Sequence, residues 1–335
     1  MYLVKSLTGE PELSEWKYPI PGDKDIIRIY RVIIDITKDL GMIRLKMSSD
    51  ARKGTLCDDI SCEGGFDEVA WSEDSKQLVF VSTSRDHKQE NVRIADCETG
   101  LVKDIFEEKV STQYESGQGS INWKYLSATN EIIWYSEKSD WGHLYLYNAI
   151  TGAFKYQITS GNFVVLEVLK TDPMNRVIYF VASGKEPDVN LYFRYLYRID
   201  FGGRNLSLLI PGKGDHTINF SPDEKYFVYS YSQPDVPPVT EVRDLKGKLV
   251  TSLEHTNVSR LAASGWKPPT TFTVRSADNL WDLYGLLYTP SNLDPKMKYP
   301  VIVNIYPGPQ GGSVGSWSFR AARGEDDGII LYSIS

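Results

Sequence analysis

Residues 218–232 read INFSPDEKYFVYSYS, and residues 240–253 read TEVRDLKGKLVTSL. The first stretch has two alternating apolar runs that are joined by Ser221, Pro222 and Asp223. The second stretch has two more such runs on either side of an Asp and a Gly. Alternation with a period of two residues, broken by turn-forming residues, predicts β-strands. Four short strands in succession therefore predict one four-stranded antiparallel sheet.

The second stretch is one of five copies of the same hairpin, which are centred on Asp35, Asp96, Asn148, Asp200 and Asp244. Their successive spacings are 61, 52, 52 and 44 residues. A further strand pair precedes each of the four later hairpins, and these pairs begin at Val69, Ile121, Val168 and Ile218. Four strands in a period of about fifty residues are typical of β-propeller blades. The sequence predicts an all-β, partial β-propeller of four-stranded blades, whose first unit lacks its front half.

The turns within the strand pairs have a structural interpretation. Residues 71–74 (WSED) and 220–223 (FSPD) share one pattern. We expect Ser and Asp to cap the turn through its backbone amides, and Trp71 and Phe220 to pack between blades.

Composition excludes several classes of protein. The 335 residues carry a net charge of −7, and no block of Lys or Arg offers a nucleic-acid surface. The three cysteines, Cys57, Cys62 and Cys97, match no zinc pattern and cannot all pair within the chain. The sequence predicts no cofactor and no metal. It has no signal-peptide core and no membrane segment, so the chain is either cytosolic or an internal piece of a longer protein.

The repeated strand pattern of the blades ends at residues 262–269, where small residues and two prolines predict a linker. We therefore expect one domain over residues 1–262 and a second over 263–335. Residues 301–306 of the second domain read VIVNIY, which suits a strand buried on both faces, as in an α/β sheet.

Several motifs together resemble the dipeptidyl peptidase IV branch of the prolyl oligopeptidase superfamily. In the second domain they are GWKPP at 265–269, DLYGLLY at 282–288, KYP at 298–300 and YPGPQ at 306–310. Upstream they are residues 18–23, 114–119, 139–145 and 192–198, which resemble propeller signatures of bacterial members. The resemblance implies that residues 263–335 are the truncated start of an α/β-hydrolase domain.

Members of that family release X-Pro or X-Ala dipeptides with a Ser, Asp, His triad, and the serine lies on a G-x-S-x-G turn. Residues 311–315 (GGSVG) match this motif literally, but they follow a Pro-Gly-Pro loop instead of a strand. The last histidine is His255, so no histidine follows Ser313 as the motif requires. We expect a truncated or frameshifted reading frame without the triad, which is inactive alone.

The resemblance also suggests site residues. It implies that Tyr306 donates its hydroxyl to the oxyanion of the reaction, although a Tyr at a strand end is otherwise a packing residue. Tyr114 and Glu115 are candidate substrate-binding residues, because their loop faces the substrate chamber in relatives. The pair at residues 107–108 (EE) resembles the family's amino-terminus-binding glutamates but comes too late in the chain, so we interpret it as a solvated turn. His143 and His216 have no metal-ligand spacing and are interpreted as packing residues.

The leading hypothesis is a non-catalytic piece of a dipeptidyl peptidase IV-like exopeptidase that acts on peptides. The alternatives are a free-standing propeller that binds a protein or glycan, and an enzyme reassembled from split chains. The resemblance implies a periplasmic or secreted parent. The unpaired edge of the first unit predicts association into homodimers or aggregates. Residues 263–335 should either fold back through Trp266, Tyr284 and Tyr288 or stay protease-sensitive.

Overall fold

A computed structural model of the chain describes residues 2–5, 12–15, 19–37, 40–51, 68–114, 122–305, 314 and 316–320. Apart from a 3-10 turn at Ser127–Thr129 and the helix α1 at Ser259–Ala263, the elements in these ranges are β-strands. The predicted all-β class is confirmed. In this part of the chain, no helix has the length and apolar character needed to span a membrane.

The described chain divides into two compact units. Unit 1 comprises Met1–Tyr114, Tyr125–Glu131 and Asn148–Ala153, and unit 2 comprises Glu115–Lys124, Ile132–Tyr147 and Phe154–Ser335.

Three strand pairs precede the first blade. They are β1 (Tyr2–Lys5) with β2 (Glu12–Glu15), β3 (Arg28–Ile29) with β6 (Asp50–Ala51), and β4 (Val32–Ile34) with β5 (Met42–Arg44). The β4–β5 pair is the hairpin predicted around Asp35. Among the described residues it forms a two-stranded sheet.

Four four-stranded sheets follow, and in each of them strands that are consecutive in sequence are neighbours in the sheet. Blade 1 consists of β7 (Val69–Trp71), β8 (Gln77–Thr83), β9 (Gln89–Asp96) and β10 (Val102–Lys109); blade 2 of β11 (Lys124–Leu126), β12 (Glu131–Ser136), β13 (His143–Asn148) and β14 (Phe154–Gln157); blade 3 of β15 (Val164–Asp172), β16 (Val177–Ser183), β17 (Tyr195–Asp200) and β18 (Ser207–Leu208); and blade 4 of β19 (Asp215–Phe220), β20 (Tyr226–Gln233), β21 (Val236–Asp244) and β22 (Leu249–His255). The prediction of a partial propeller with four-stranded blades is confirmed.

The hairpin turns owe their shape to the Asp or Asn identified in the sequence. Oδ1 of Asp96 accepts a hydrogen bond from the backbone N–H of Thr99 at 2.7 Å, and Oδ1 of Asn148 accepts one from Thr151 at 2.8 Å. In blade 4, Oδ1 of Asp244 accepts from the amide of Lys246 at 2.9 Å. Side-chain oxygens thus accept from backbone amides in these three turns, which is a reason for Asp and Asn to recur there.

The turns between the first two strands of a blade follow a second rule. The Ser72 hydroxyl accepts from the amide of Gln77 at 2.9 Å, and Asp74 accepts from the amide of Lys76 at 3.1 Å. Ser221 and Asp223 accept in the same way from the amides of Tyr226 and Lys225. The predicted capping is confirmed. The predicted packing holds for Phe220, which lies 5.7 Å from the ring of Tyr179 in blade 3. It is wrong for Trp71, which is exposed at the end of the three-residue strand β7, where the turn begins and the packed part of the sheet has ended.

Within unit 2, blades 3 and 4 share one apolar core. Its buried members are Val177, Tyr179, Val181, Leu196, Ile210, Ile218, Phe227 and Tyr229. In the first half of β20, the buried Phe227 and Tyr229 alternate with exposed residues, so this face of the strand meets blade 3. In β16 all residues except the last are buried. In unit 1, Ile33 and Leu45 pack with Leu78, Phe80 and Ala95, so the first hairpin shares a core with blade 1.

After blade 4 comes a hairpin of β23 (Thr270–Arg275) and β24 (Asp282–Leu287). The expected buried strand at 301–306 is wrong for its described residues: Val301 is 77% and Ile305 67% exposed, and 301–305 form no strand. A buried strand needs pairing partners and cover on both faces, and in the described part of the chain these residues have no strand partner.

The expected folding back of this region is partly confirmed. The Tyr284 ring lies 5.7 Å from Tyr192, which precedes β17 of blade 3, whereas Trp266 lies against Phe319 of the same region.

Candidate functional site

The predicted substrate-binding residue Tyr114 follows β10 in unit 1. Its backbone N–H donates to the carbonyl oxygen of His87 at 2.6 Å, which ties the end of the blade 1 sheet to the loop between β8 and β9. Its side chain is buried. Glu115, the other predicted pocket residue, lies outside the described residues.

The predicted oxyanion donor Tyr306 and the serine of residues 311–315 also lie outside the described residues. The chain is described on both sides of them. Residues 301–305 are exposed, and residues 316–320 lie against blade 4, where Ser318 donates its hydroxyl to Asp215 at 2.7 Å. The role of Tyr306 stays a prediction.

The pair Glu107 and Glu108 was expected in a turn, and this is wrong. Both lie in the outer strand β10, where Glu107 pairs with Asn91 and Glu108 with Glu90 of β9. Glu107 accepts from the side chain of Gln89 at 2.9 Å and forms an ion pair with Lys109 at 2.8 Å. The side chain of Glu107 is half exposed, because the outer strand of a blade faces solvent on one edge. Glu107 is therefore exposed to solvent, as expected, but it lies in a strand and not in a turn.

The two histidines of interest are both buried. His143 lies within hydrogen-bond distance of the Thr159 hydroxyl and of the Gly161 carbonyl oxygen, each 3.0 Å away, and burial lowers its pKa. His216 is surrounded by the rings of Tyr195, Tyr229 and Tyr231. Both are core residues, as interpreted from the sequence.

His216 differs from His143 in its polar contacts. Neither of its ring nitrogens has a hydrogen-bond partner within the described part of the chain. Burial lowers its pKa to about 4. A histidine that stays neutral at physiological pH could act as a base, but no hydroxyl or thiol lies in hydrogen-bond contact with it here.

The described residues also bear on metal and thiol chemistry. Among them, no group of three or more His, Cys, Asp or Glu side chains is placed to hold a metal ion. Cys97 is a free thiol whose pKa is raised, first by burial and then by the nearby carboxylates of Asp96 and Asp74. A raised pKa keeps the thiol protonated and unreactive. Cys57 and Cys62 lie outside the described residues.

A polar cleft of about 460 Å³ lies in unit 1, between the turn after β7 and the 3-10 turn. Its walls include Ser72, Asp74, Asp96 and Tyr125. Hydrogen bonds from the Ser72 hydroxyl and the Lys76 amide lower the pKa of Asp74, and bonds from Thr99 lower that of Asp96. These carboxylates are held ionised and cap turns. The turn-capping role of Ser72, Asp74 and Asp96 accounts for the polar lining of this cleft.

Comparison with known proteins shows where such blades occur. Residues 1–238 match the family model for the dipeptidyl peptidase IV N-terminal region. The chain belongs to this family. It is 26% identical over 254 residues to a dipeptidyl peptidase 4 of Arthroderma otae, and 25% identical over 254 residues to one of Trichophyton rubrum. Each alignment covers 72% of this chain and 31% of the relative.

The fold agrees with this assignment. The crystal structure of Porphyromonas gingivalis dipeptidyl peptidase 4 superposes with a TM-score of 0.75 at 22% identity, over 96% of this chain and 43% of that one. The chain thus spans about a third of the length of the curated relatives it matches. It corresponds to part of a dipeptidyl peptidase IV-like protein.

Sequence reasoning missed one cluster of polar contacts. Asp215 is held by Arg194 and by Ser318, which follows it by 103 residues. Arg194 lies in one of the motifs that carried the resemblance, but no spacing pattern connects Ser318 with Asp215. Only the folded chain brings them together.

Proposed function

We propose that this chain is the non-catalytic, propeller-bearing part of a dipeptidyl peptidase IV-like serine exopeptidase. The observation that carries the proposal is the match of residues 1–238 to the family's N-terminal region, together with four sheets of blade topology. In an intact protein of this kind, the substrate is a peptide and the products are X-Pro or X-Ala dipeptides. The propeller shapes the chamber and controls access to it.

The proposal includes a division of the chain into two domains. Residues 1–262 form the propeller domain and residues 263–335 begin the hydrolase domain. The last blade strand ends at His255, and α1 with the following Ser264 and Gly265 separates it from the exposed hairpin β23–β24. This change of architecture supports a boundary near Ala262.

The proposed site residues have separate roles. Tyr306 donates its hydroxyl to the oxyanion once a nucleophile is supplied, and such a donor contributes on the order of 3 kcal/mol to lowering the barrier. Tyr114 and Glu115, which follow blade 1 in the sequence, contribute to the chamber wall. Because the Tyr114 side chain is buried, it acts by shaping the wall more than by contacting the peptide.

The alternative of a free-standing propeller that binds a protein or glycan is less well supported. A binding module has no need of hydrolase-like motifs after its last blade, and the matching relatives carry the name dipeptidyl peptidase 4.

The test is an assay of the purified chain with Gly-Pro and Ala-Pro reporter substrates. We expect no release of dipeptide, because the sequence has no histidine after His255 and therefore no base in the order that Ser313 would need. The control is Ser313→Ala, which should match the unsubstituted chain. Activity that Ser313→Ala abolishes would contradict the proposal, as would activity that survives it, since the latter requires another nucleophile.

A further inference from the structure

Residues 316–320, which follow the Tyr306 loop, make two polar contacts with one corner of blade 4. The Ser318 hydroxyl donates to Oδ2 of Asp215 at 2.7 Å, and the backbone N–H of Phe319 donates to the Ser232 hydroxyl at 3.0 Å. Asp215 and Ser232 are directly opposite each other on β19 and β20, so they lie on the same face of the sheet. One cross-strand pair therefore accepts both hydrogen bonds.

Aromatic contacts flank these hydrogen bonds. The Trp317 ring stacks on Tyr192, with centroids 5.8 Å apart and planes at 15°. On the other side of the segment, Phe319 lies 5.5 Å from Trp266. Trp317 is buried, although residues 301–305 shortly before it are exposed. Residues 316–320 are thus held by several contacts, whereas the described residues 301–305 face solvent.

Asp215 is held in place independently of this segment. Arg194 donates from Nε to Oδ1 at 2.8 Å and from Nη2 to Oδ2 at 2.6 Å, and its backbone N–H also reaches Oδ1 at 3.2 Å. The Asp215 side chain is 3% exposed. A bidentate pair of this kind fixes the carboxylate plane, which leaves an Oδ2 lone pair oriented for one more donor.

We propose that Tyr192, Asp215 and Ser232 form a docking site for residues 316–320, in which Asp215 is the positioning residue. The site takes a segment that presents an aromatic ring, then a hydroxyl donor, then a backbone N–H. Tyr306 precedes this segment by ten residues in the sequence, so the docking site fixes the chain on the C-terminal side of the proposed oxyanion donor. The relevance of the site to Tyr306, and only that, rests on the proposed function.

The test is hydrogen exchange of the purified chain, measured by mass spectrometry on peptides that cover residues 316–320. Ser318→Ala removes a hydrogen bond to a charged acceptor, and we expect exchange in this segment to accelerate roughly tenfold or more. Ser232→Ala should accelerate it by a smaller factor, because its bond is to a neutral hydroxyl. Peptides from β16 and β20 should be unchanged in both variants.

Thr217→Ala is the matched control. Thr217 lies on the same strand and face as Asp215, and its hydroxyl donates to the Ser230 carbonyl oxygen at 3.5 Å. Thr217→Ala should leave the exchange rate of residues 316–320 as it is in the unsubstituted chain.

A double variant tests whether Asp215 acts through Ser318. If it does, residues 316–320 should exchange at the same rate in Asp215→Ala combined with Ser318→Ala as in Asp215→Ala alone. If Asp215→Ala fails to fold, the exchange rates of Ser318→Ala and Ser232→Ala still test whether the docking site holds residues 316–320.

Unchanged exchange of residues 316–320 in Ser318→Ala would overturn the proposal, and so would equal acceleration in β16 and β20, which indicates general destabilisation. None of these measurements uses a substrate. The docking site can therefore fail while the peptidase assignment stands, and the assignment can fail while the docking site stands.

Discussion

A Cβ atom on Gly203 would lie 2.9 Å from the carbonyl oxygen of Ile158, which directly follows β14 of blade 2. The hairpin turn of blade 3 thus lies directly against the main chain of the preceding blade. In unit 1, Gly100 of blade 1 stands in the same relation to the carbonyl oxygen of Arg44, at 2.8 Å. The glycine of the repeated hairpin therefore has a packing role: it lets one blade approach the backbone of the one before.

We predict that Gly203→Ala destabilises the chain. Gly203 has a φ of +73°, which costs an L-residue roughly 1–2 kcal/mol, and the added methyl group also has to displace a main-chain oxygen. Thermal unfolding followed by circular dichroism should show a lower midpoint. The neighbouring Gly202→Ala is the control, because a Cβ there meets nothing within 4 Å. Equal midpoints for the two variants would contradict the packing role.

The first hairpin predicts association. Its strands β4 and β5 carry Val32, Ile34 and Met42 with 42%, 51% and 66% of their surfaces exposed, whereas Ile33 on the other face is buried. An apolar face beside a strand edge that has no partner among the described residues is a template for another chain. We expect light scattering to show a molecular mass that rises with concentration, consistent with the proposed homodimer.

Ile34→Asp should lower this concentration dependence severalfold, because it places a charge on the exposed face. Met174→Asp serves as the control, since Met174 is an exposed apolar residue in a turn of unit 2. A monodisperse monomer over a wide range of concentrations would contradict the prediction.

The blades could be predicted from the sequence because their signals are local. Strand alternation and the Asp or Asn of each turn, such as Asp96 and Asp244, act within a few residues of themselves. Trp71 was wrongly expected to pack between blades, and residues 301–305 were wrongly expected to form a strand, because packing and strand pairing depend on which neighbours the fold supplies. Strand β10 continues through Glu107 although its pattern there is polar, since pairing with β9 outweighs weak local preference.

The docking site could not be predicted for a related reason. Ser318 and Asp215 have no periodic relation in the sequence, and hydroxyl and carboxylate side chains occur throughout the chain. The resemblance located Arg194 within a motif, but only the fold shows that it orients Asp215.

The last prediction concerns the pH dependence of stability, which His216 should dominate between pH 6.5 and 4. Burial lowers its pKa from 6.5 to about 4 in the folded protein, while the nearby Asp215 raises it and Arg194 lowers it further. Above pH 6.5 the ring is neutral in both the folded and the unfolded chain. Below that pH the unfolded chain binds a proton that the folded chain does not, so the free energy of unfolding decreases as the pH falls. Below pH 4 both states are protonated and the loss is complete.

At 1.36 kcal/mol per pKa unit, this loss amounts to about 2 kcal/mol at pH 5. His216→Phe keeps a ring among Tyr195, Tyr229 and Tyr231 but cannot be protonated. Urea unfolding at pH 7.5 and pH 5 should therefore show a difference about 2 kcal/mol smaller in His216→Phe than in the unsubstituted chain. The control is His255→Phe on the exposed strand β22, which should keep the full difference. If His216→Phe loses as much stability on acidification as the unsubstituted chain does, the buried neutral histidine is not the source of the effect, and carboxylates that are protonated in acid must account for it.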